Sequence, residues 1–357
     1  MGDGEVRPDR GGSPGPRGAI TSQPMTHGNL VRTVAVALLA IVVVGAALSL
    51  LVGSRAVPVG EVWAAVTAHD PTNPLQAIVA ARIPRTVVAL LAGGALGLAG
   101  ATMQGLTRNP LADPGILGIN AGAALAMVLA ISVFGVTQLS GYVWFALAGA
   151  ALAAVLVHAI AGLGRDGATP VKLAVAGAAL AAGLSSWTPG LLLTDRQTLD
   201  VFRFWQVGTV GGRSMDVVWP VLPVLVVGAV LALTGARLLN VLTLGDDVAR
   251  GLGRRAGLDR VVVGIAVVAL CGGATALAGP LVFVGLVAPH LARIVVGSDY
   301  SRILPVSLGL GAVLVLFADI LGRVVLPPTE VQVGIMTAVV GVPVFLALIR
   351  RGGMGAL

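Results

Sequence analysis

Long apolar runs recur along the chain, separated by short segments rich in charge, glycine or proline. An apolar run of about 18 residues or more is long enough to cross a bilayer as a helix. The predicted fold is therefore all-α, a polytopic transmembrane bundle of about ten helices. The pattern places the crossings near residues 31–52, 84–104, 115–135, 142–163, 171–193, 217–239, 261–279, 281–297, 303–325 and 331–349. Only glycines and prolines separate the seventh crossing from the eighth.

The composition agrees with a membrane protein, since 56% of the residues are hydrophobic, 11% are charged and the mean hydropathy is +0.95. Soluble domains carry roughly 25% charged residues. The basic residues behind the net charge of +7 are scattered at loop ends, which argues against a nucleic-acid partner and for the lipid bilayer. Residues 1–30 are rich in Gly, Pro and charge, and we expect a disordered tail there. The membrane domain is expected over 31–351, with an uncleaved first helix.

The distribution of Arg and Lys predicts an orientation, because cytoplasmic loops carry an excess of these residues. With a cytoplasmic amino terminus and ten crossings, sixteen of the 23 basic residues fall on the cytoplasmic side. The remaining seven, which include Arg82, Arg85 and Arg323, fall outside. We therefore expect a multi-pass protein of the cytoplasmic membrane with both termini in the cytoplasm.

A polar break, RNPLADPG, interrupts the apolar pattern between crossings two and three. Irregular backbone at membrane depth is tolerated only against protein or water, so this break indicates a path for a polar solute. Arg108, Asn109 and Asp113 are candidates for closing the inner end of that path. Alternatively, Asp113 caps crossing three and Pro114 takes its first helical position.

Crossing five is rich in small residues, which permit close helix approach and would suit a smooth, weakly binding wall. Ser185 and Ser186 in this crossing are candidates for lining the path. Ion-driven carriers usually display ionisable residues at membrane depth, and Asp319 is the one candidate of that kind. Arg323 lies four residues later and is an ordinary partner for it. A secondary transporter driven by an ion gradient is therefore the weaker alternative.

The outer arginines run against the usual charge bias and call for an explanation. Arg82 and Arg85 are three residues apart with Pro84 between them, at the expected entry to a helix, and this spacing favours one shared outward face. One interpretation is that the three outer arginines extend to lipid headgroups or, for Arg323, pair with Asp319. The other is a binding site for carboxylates, which guanidinium groups hold in planar bidentate geometry.

The longest cytoplasmic loop, residues 236–260, lies between crossings six and seven. Leu244, Val248 and Leu252 recur at four-residue spacing, which favours a short amphipathic helix. This helix is either a solvated connection with favourable charge pairs or a docking element for a cytoplasmic partner.

The sequence shows no catalytic or metal-binding set. His27, His69, His158 and His290 are widely spaced, and no nucleophile arrangement appears. We expect no cofactor, no metal site and no enzymatic activity of the chain itself. Cys271 lies in an apolar run and is expected to be a small buried hydrophobe.

Four segments of the chain carry a resemblance to one family. They read RIPRTVVALLAGGALGLAGATMQGLTRNPLADPGILGINAGA, LGDDVARGLG, GPLVFVGLVAPHLAR and FADILGRVVLPPTEVQVGIMTAVVGVPVFLALIRR. Together they resemble the permease subunit of ATP-binding-cassette importers for iron–siderophore complexes or vitamin B12. The resemblance covers residues 31–351 and leaves the amino-terminal tail out.

The resemblance implies ten helices per subunit and a second permease subunit, identical or related, on the other side of one central path. It implies two cytoplasmic ABC ATPase subunits and an extracytoplasmic substrate-binding lipoprotein. Carboxylates of that binding protein would dock on Arg82, Arg85 and Arg323. The ATPase subunits would grip the loop at Leu244, Gly245, Asp246, Asp247, Ala249, Arg250, Leu252 and Gly253.

The expected function is therefore import of a ferric siderophore, with haem and cobalamin left open as cargo. The chain has no G-x-x-x-x-G-K-[ST] motif to hold ATP phosphates, so ATP hydrolysis would come from a partner chain. A non-transporting membrane scaffold is a further alternative, and it explains the cytoplasmic loop and the outer arginines less well.

Overall fold

The structure is a computed structural model, and it describes residues 2, 27–68, 70–136, 138–163, 168–193, 195–245, 251 and 256–350. Within these ranges every regular element is helical, and a 3-10 turn at Pro114–Leu117 accompanies thirteen α-helices. The helices are α1 (His27–Leu51), α2 (Val59–Thr67), α3 (Pro74–Thr107), α4 (Ile119–Ser132), α5 (Leu139–Ala161), α6 (Pro170–Leu192), α7 (Arg196–Val207), α8 (Met215–Thr234), α9 (Ala236–Thr243), α10 (Ala256–Ala278), α11 (Val284–Val296), α12 (Tyr300–Val324) and α13 (Val333–Arg350).

Seven of the described helices, α1, α3, α5, α6, α8, α10 and α12, are long and apolar enough to cross a membrane. Three shorter apolar helices, α4, α11 and α13, coincide with the other three predicted crossings. The predicted all-α, polytopic transmembrane fold is confirmed, and the seventh and eighth crossings are separate helices. The predicted tail at 1–30 lies almost wholly outside the described residues.

Crossing two differs from its predicted form. α3 has 34 residues and begins at Pro74, well before the expected start near residue 84. The side chain of Asn73 caps it by accepting a hydrogen bond from Leu75 N at 2.9 Å, and Pro74 occupies the first turn. Pro84 lies inside the helix, so the prediction that a helix starts there is wrong. Arg82 and Arg85 are consequently side chains of a helix interior.

The two short helices α4 and α11 each follow an irregular stretch of chain. Asp113 caps the 3-10 turn by accepting a hydrogen bond from Gly115 N at 2.8 Å, and Gly118 joins the turn to α4 with φ +70°. Gly279 and Phe283, also at positive φ, interrupt the helical backbone between α10 and α11. Asp113 is thus a cap with Pro114 at the first position, as the alternative predicted, but it caps the 3-10 turn and not crossing three, whose helix α4 has Gly118 at its N-cap. Part of each of these two crossings is therefore non-helical. Such irregular backbone, rich in proline and glycine, is tolerated at membrane depth when protein surrounds it.

α3 is the central helix, and it packs on α12 more extensively than any other pair of described helices pack. Glycines make this contact close, because a Cβ on Gly93 would lie 2.4 Å from the carbonyl oxygen of Gly311. A Cβ on Gly97 would lie 2.2 Å from that of Ser307, and one on Gly100 would lie 2.0 Å from that of Gly285 in α11. Backbone-to-backbone packing of this kind holds α3, α11 and α12 together.

The bundle has two ends. We call one the arginine end, and the other the coupling end because it adjoins the loop predicted to contact the ATPase subunits. The arginine end holds the carboxyl ends of α1 and α12 and the first turns of α3 with Arg82 and Arg85. The coupling end holds the carboxyl end of α3, α9 and the first turn of α12. Exposed tryptophans lie near helix ends at the arginine end, where amphipathic rings suit a membrane interface: Trp63, Trp144, Trp187 and Trp219.

Candidate functional site

Five charged side chains meet at the arginine end, and we call them the arginine cluster. Arg82 and Arg85 come from α3, Asp319 and Arg323 from the last turns of α12, and Glu330 from the segment that follows α12. The three arginines that the sequence singled out are therefore brought together, and two carboxylates of the same chain lie among them.

Arg85 pairs with two carboxylates through different edges of its guanidinium group. Its Nε donates to Asp319 Oδ1 at 2.9 Å and Oδ2 at 3.1 Å, and its Nη2 donates to Oδ1 at 2.8 Å. Its Nη1 donates to Glu330 Oε2 at 2.6 Å. The Asp319 side chain is 1% exposed and that of Glu330 is 35% exposed, so one pair is buried and the other borders solvent.

Arg323 is the most deeply buried arginine of the cluster, with 1% of its side chain exposed. Its Nη2 lies 3.0 Å from Asp319 Oδ2, which confirms the i,i+4 pair seen in the sequence. The same group also donates to Ser49 Oγ at 2.7 Å, and Nη1 donates to the Ser49 carbonyl oxygen at 2.8 Å. Asp319 thus receives two guanidinium groups, and Arg323 ties α12 to α1.

Arg82 is also buried, and its partners are backbone carbonyls. Nη1 donates to the Leu50 oxygen at 2.8 Å and Nη2 donates to the Arg55 oxygen at 2.6 Å. The last carbonyls of a helix have no partner within it, so Arg82 satisfies one of them at the end of α1 and a second carbonyl in the segment that follows. Gly53 allows this approach, because a Cβ there would lie 2.4 Å from Arg82 Nη2.

A cavity of about 310 Å³ opens beside the cluster at the arginine end. Arg85 is the one guanidinium of the cluster on its wall, and Glu330 lies beside it. The rest of the wall comes from the segment just before α13, from α7 and from the turn after α7: Phe204, Thr209, Gly211, Gly212, Val331 and Gln332. Arg85 is therefore the arginine best placed to meet a group from outside the chain.

The residues predicted to close the inner end of the path lie at and just after the end of α3. Arg108 and Asn109 are exposed at the coupling end, where Arg108 ends α3 with φ +54°. Arg108 Nη1 lies 3.9 Å from where a Cβ on Gly245 would be, which places it beside the start of the loop predicted to contact the ATPase subunits. Asp113 faces α11, with Oδ2 3.2 Å from the Cβ position of Gly285. The role of the three residues in the path stays a prediction.

The other predicted site residues are placed as follows. Ser185 and Ser186 are exposed on α6, where Ser186 Oγ donates to the Ala182 oxygen at 2.8 Å. Leu244 and Gly245 follow α9 at the coupling end. The remaining residues of the predicted ATPase contact lie outside the described residues, namely Asp246, Asp247, Ala249, Arg250, Leu252 and Gly253. Their roles stay predictions.

A polar network at the coupling end escaped the sequence analysis. Asn240 of α9 donates through Nδ2 to Asp299 Oδ1 at 2.7 Å and accepts from Tyr300 N at 2.9 Å. These two bonds fix α9 to the first turn of α12. The hydrogen bonds from Asn240 and from Ser301 N hold the pKa of Asp299 below its usual range.

The network continues into the bundle through Tyr300. Arg293 of α11 donates to Tyr300 Oη at 3.3 Å and to Gln104 Oε1 at 2.7 Å. Gln104 of α3 in turn donates to the Gly285 carbonyl oxygen at 3.2 Å. The signal in the sequence was an uncharged polar residue, Gln104, in an otherwise apolar stretch of crossing two.

The described residues contain no group of three or more His, Cys, Asp or Glu side chains that could hold a metal ion. Cys271 is buried and unpaired, as its apolar surroundings predicted.

The comparisons with known proteins agree with this architecture. The model of the FecCD transport family matches residues 39–351. The chain is 44% identical over 328 residues to the ferric enterobactin transport system permease protein FepD of Escherichia coli (strain K12), covering 91% of this chain and 98% of the relative. It is 45% identical over 292 residues to the probable siderophore transport system permease protein YfiZ of Bacillus subtilis (strain 168), covering 82% and 88%.

A third relative is the iron(3+)-hydroxamate import system permease protein FhuB of Bacillus subtilis (strain 168), 40% identical over 331 residues, covering 92% of this chain and 85% of the relative. A solved metal-chelate type ABC transporter in an inward-facing conformation superposes with a TM-score of 0.77 at 26% identity, covering 90% of this chain and 99% of that one. Fold and comparisons together define a multi-pass permease of the cytoplasmic membrane. The chain belongs to the FecCD transport family.

Proposed function

We propose that this chain is the permease subunit of an ATP-binding-cassette importer that moves a ferric siderophore across the cytoplasmic membrane. The observation that carries this proposal is its 44% identity to the ferric enterobactin permease over 98% of that protein's length. The two other relatives described above carry names that refer to a siderophore and to an iron(3+)-hydroxamate complex. The cargo class common to these names is ferric iron held by an organic chelator.

The proposed energy source is a pair of separate ATPase subunits. The chain has no phosphate-binding loop of its own, and α9 leads directly into the segment 244–253 that we propose as their docking element. In this arrangement the coupling end faces the cytoplasm and the arginine end faces outward. A second permease subunit, identical or related, completes the translocation path.

The proposed docking site for the substrate-binding lipoprotein is the arginine cluster. Arg85 borders the cavity and is the arginine that a partner carboxylate reaches first. Arg82 and Arg323 are buried, so they act by holding α1, α3 and α12 in place around Arg85. Arg85→Lys is expected to weaken docking of the binding protein and to leave docking of the ATPase intact. Charge reversal at all three positions should also weaken docking of the binding protein, but it would destabilise the arginine end as well, because Arg82 and Arg323 are buried.

The proposed path runs between the two permease subunits. Ser185 and Ser186 expose small polar side chains along α6, and Asp113 caps the buried break in the chain before α4. Arg108 and Asn109 are exposed at the coupling end, where we propose that they surround the inner exit.

Growth on defined iron sources tests the proposed function. A deletion strain should lose growth on one class of ferric siderophore, and the wild-type gene should restore it. A gene lacking residues 241–257 should fail to restore growth, because the ATPase subunits lose their docking element. Iron uptake that does not depend on the gene, or import by reconstituted vesicles without the ATPase, would overturn the proposal.

A further inference from the structure

Glu330 is the displaceable partner in the arginine cluster. Arg85 is held on one edge by the buried carboxylate of Asp319, which makes three hydrogen bonds with it. Its other edge makes one hydrogen bond, to Glu330 Oε2 at 2.6 Å, and this pair borders the cavity. Glu330 also accepts a long hydrogen bond of 3.4 Å from Ser54 Oγ through its Oε1. Exposed ion pairs of this kind are weak, whereas the buried pair is costly to break.

The backbone beside Glu330 is anchored independently of its side chain. Val331 N donates to the Gly322 oxygen at 2.9 Å, and Gly334 N donates to the Gly208 oxygen at 3.1 Å. Gly322 permits the first contact, because a Cβ there would lie 2.4 Å from the Val331 oxygen. The Glu330 side chain can therefore leave Arg85 by rotating about its own bonds while the main chain stays in place.

The charge balance of the cluster depends on Glu330. Three guanidinium groups face two carboxylates, so the cluster keeps one positive charge in excess while Glu330 is bound. Departure of Glu330 raises the excess to two and exposes the Nη1 edge of Arg85 to the cavity. A cavity of about 310 Å³ is larger than a carboxylate side chain needs. A vacant Arg85 edge is thus a site for an incoming carboxylate, and Glu330 already occupies it with the same chemistry.

We propose that Glu330 is an internal occupant of the carboxylate-binding edge of Arg85, and that an acidic side chain of the substrate-binding protein displaces it on docking. This inference rests on the docking role proposed above and adds the group with which the partner competes. Competition of this kind lowers the affinity of docking and favours release of the binding protein after delivery. It assigns to Glu330 a specificity role at this surface: only a partner that offers a carboxylate in the right position replaces what is already bound.

The test is the affinity of the binding protein for the complete transporter, with its ATPase subunits, in lipid nanodiscs. Glu330→Gln keeps the shape of the side chain and removes its charge, and we expect it to tighten docking about two- to fivefold, the size of an exposed ion pair. Glu330→Ala removes the acceptor altogether and should tighten docking at least as much. Asp200→Asn is the matched control, because Asp200 is exposed on α7 and pairs with Arg203 instead of Arg85.

Each outcome bears on the proposal. Tightening by both Glu330 variants and not by Asp200→Asn supports displacement. Unchanged or weaker docking of Glu330→Gln overturns it, and so does equal tightening by Asp200→Asn, which would indicate a general charge effect. Arg85→Lys separates the two hypotheses, since it keeps the charge and loses the bidentate geometry. If it weakens docking while the Glu330 variants change nothing, docking at Arg85 stands and displacement fails. If neither position affects affinity, both proposals fail.

Discussion

At the scale of single residues, the arginine cluster rests on one buried carboxylate. Asp319 receives both Arg85 and Arg323, and its side chain is 1% exposed. Removing one partner of a buried charge group leaves the others uncompensated, which costs more than the pair itself contributes. Loss of the Asp319 charge is therefore expected to be the most destabilising single change in the cluster, whereas Glu330 at its solvent-facing edge can be replaced at little cost.

Asp319→Asn is expected to destabilise the purified permease by about 3–5 kcal/mol, because two buried guanidinium groups lose their counter-charge. The measurement is the midpoint of thermal unfolding in detergent. Asp200→Asn, the same change at an exposed site, should stay within about 0.5 kcal/mol of wild type. Equal unfolding midpoints for the two variants would show that the negative charge of Asp319 does not stabilise the folded permease.

Asp299 gives the coupling end a pH dependence. Its pKa is depressed, chiefly by the hydrogen bond from Asn240, so the stabilisation is present above the ordinary Asp pKa of about 3.9 and is lost as pH falls through the folded-state pKa. Asn240→Ala should lower the unfolding midpoint at neutral pH, and the difference from wild type should narrow towards pH values of about 3. A difference that stays constant with pH would mean that Asn240 acts only through Tyr300 N.

Single residues also show where sequence reasoning stops. The pair of Asp319 and Arg323 was readable because helical spacing joins residues four apart. The pair of Arg85 and Glu330 joins residues 245 positions apart, and no local pattern encodes that distance. The sequence drew attention to three arginines and to the Asp319–Arg323 pair, whereas the contacts of Arg85 with Asp319 and Glu330 follow from the packing of α3 against α12 and the segment after it.

At the scale of helices, length and hydrophobicity predicted where the chain crosses the membrane. The exact first and last residues of each helix depend instead on the capping residues. All ten crossings coincide with helices, yet α3 starts at an Asn-Pro cap that lies in a polar stretch before the apolar run. α2 and α7, with 9 and 12 residues, were not predicted because neither is long enough to cross a bilayer. The irregular stretches before α4 and α11 were visible as glycines and prolines, but their burial follows from contacts with other helices.

The close packing of α3 and α11 predicts a strong effect from one methyl group. Gly100→Ala would place a Cβ 2.0 Å from the Gly285 oxygen, and we expect a loss of about 1–3 kcal/mol as the helices move apart. Gly183→Ala in α6 is the matched control, because no atom lies within 4 Å of its Cβ position. That variant should be neutral or more stable by about 0.5–1 kcal/mol through helix propensity. Thermal unfolding of both variants in the same detergent decides the comparison.

At the scale of the whole molecule, the orientation in the membrane can be tested by labelling introduced cysteines, because the chain's own cysteine should contribute little to the signal. Cys271 is buried, so it should react slowly with a membrane-impermeant maleimide. Ser54→Cys at the arginine end should be labelled from outside intact cells, and Ser301→Cys at the coupling end should be labelled only after the membrane is opened. Labelling of Ser301→Cys in intact cells would reverse the proposed orientation and remove the docking role of the arginine cluster.

The glycine contacts of α3 have a consequence for how such a molecule can change shape. Where two helices touch through their backbones, with no side chain between them, neither can slide or rotate without a collision of main-chain atoms. α3, α11 and α12 are therefore expected to travel as a single rigid block. The freedom to open and close a path then belongs to helices with few buried residues, and α6 is one of these. The outer helices would then move to open the path to one side of the membrane or the other, while α3, α11 and α12 keep their positions relative to one another.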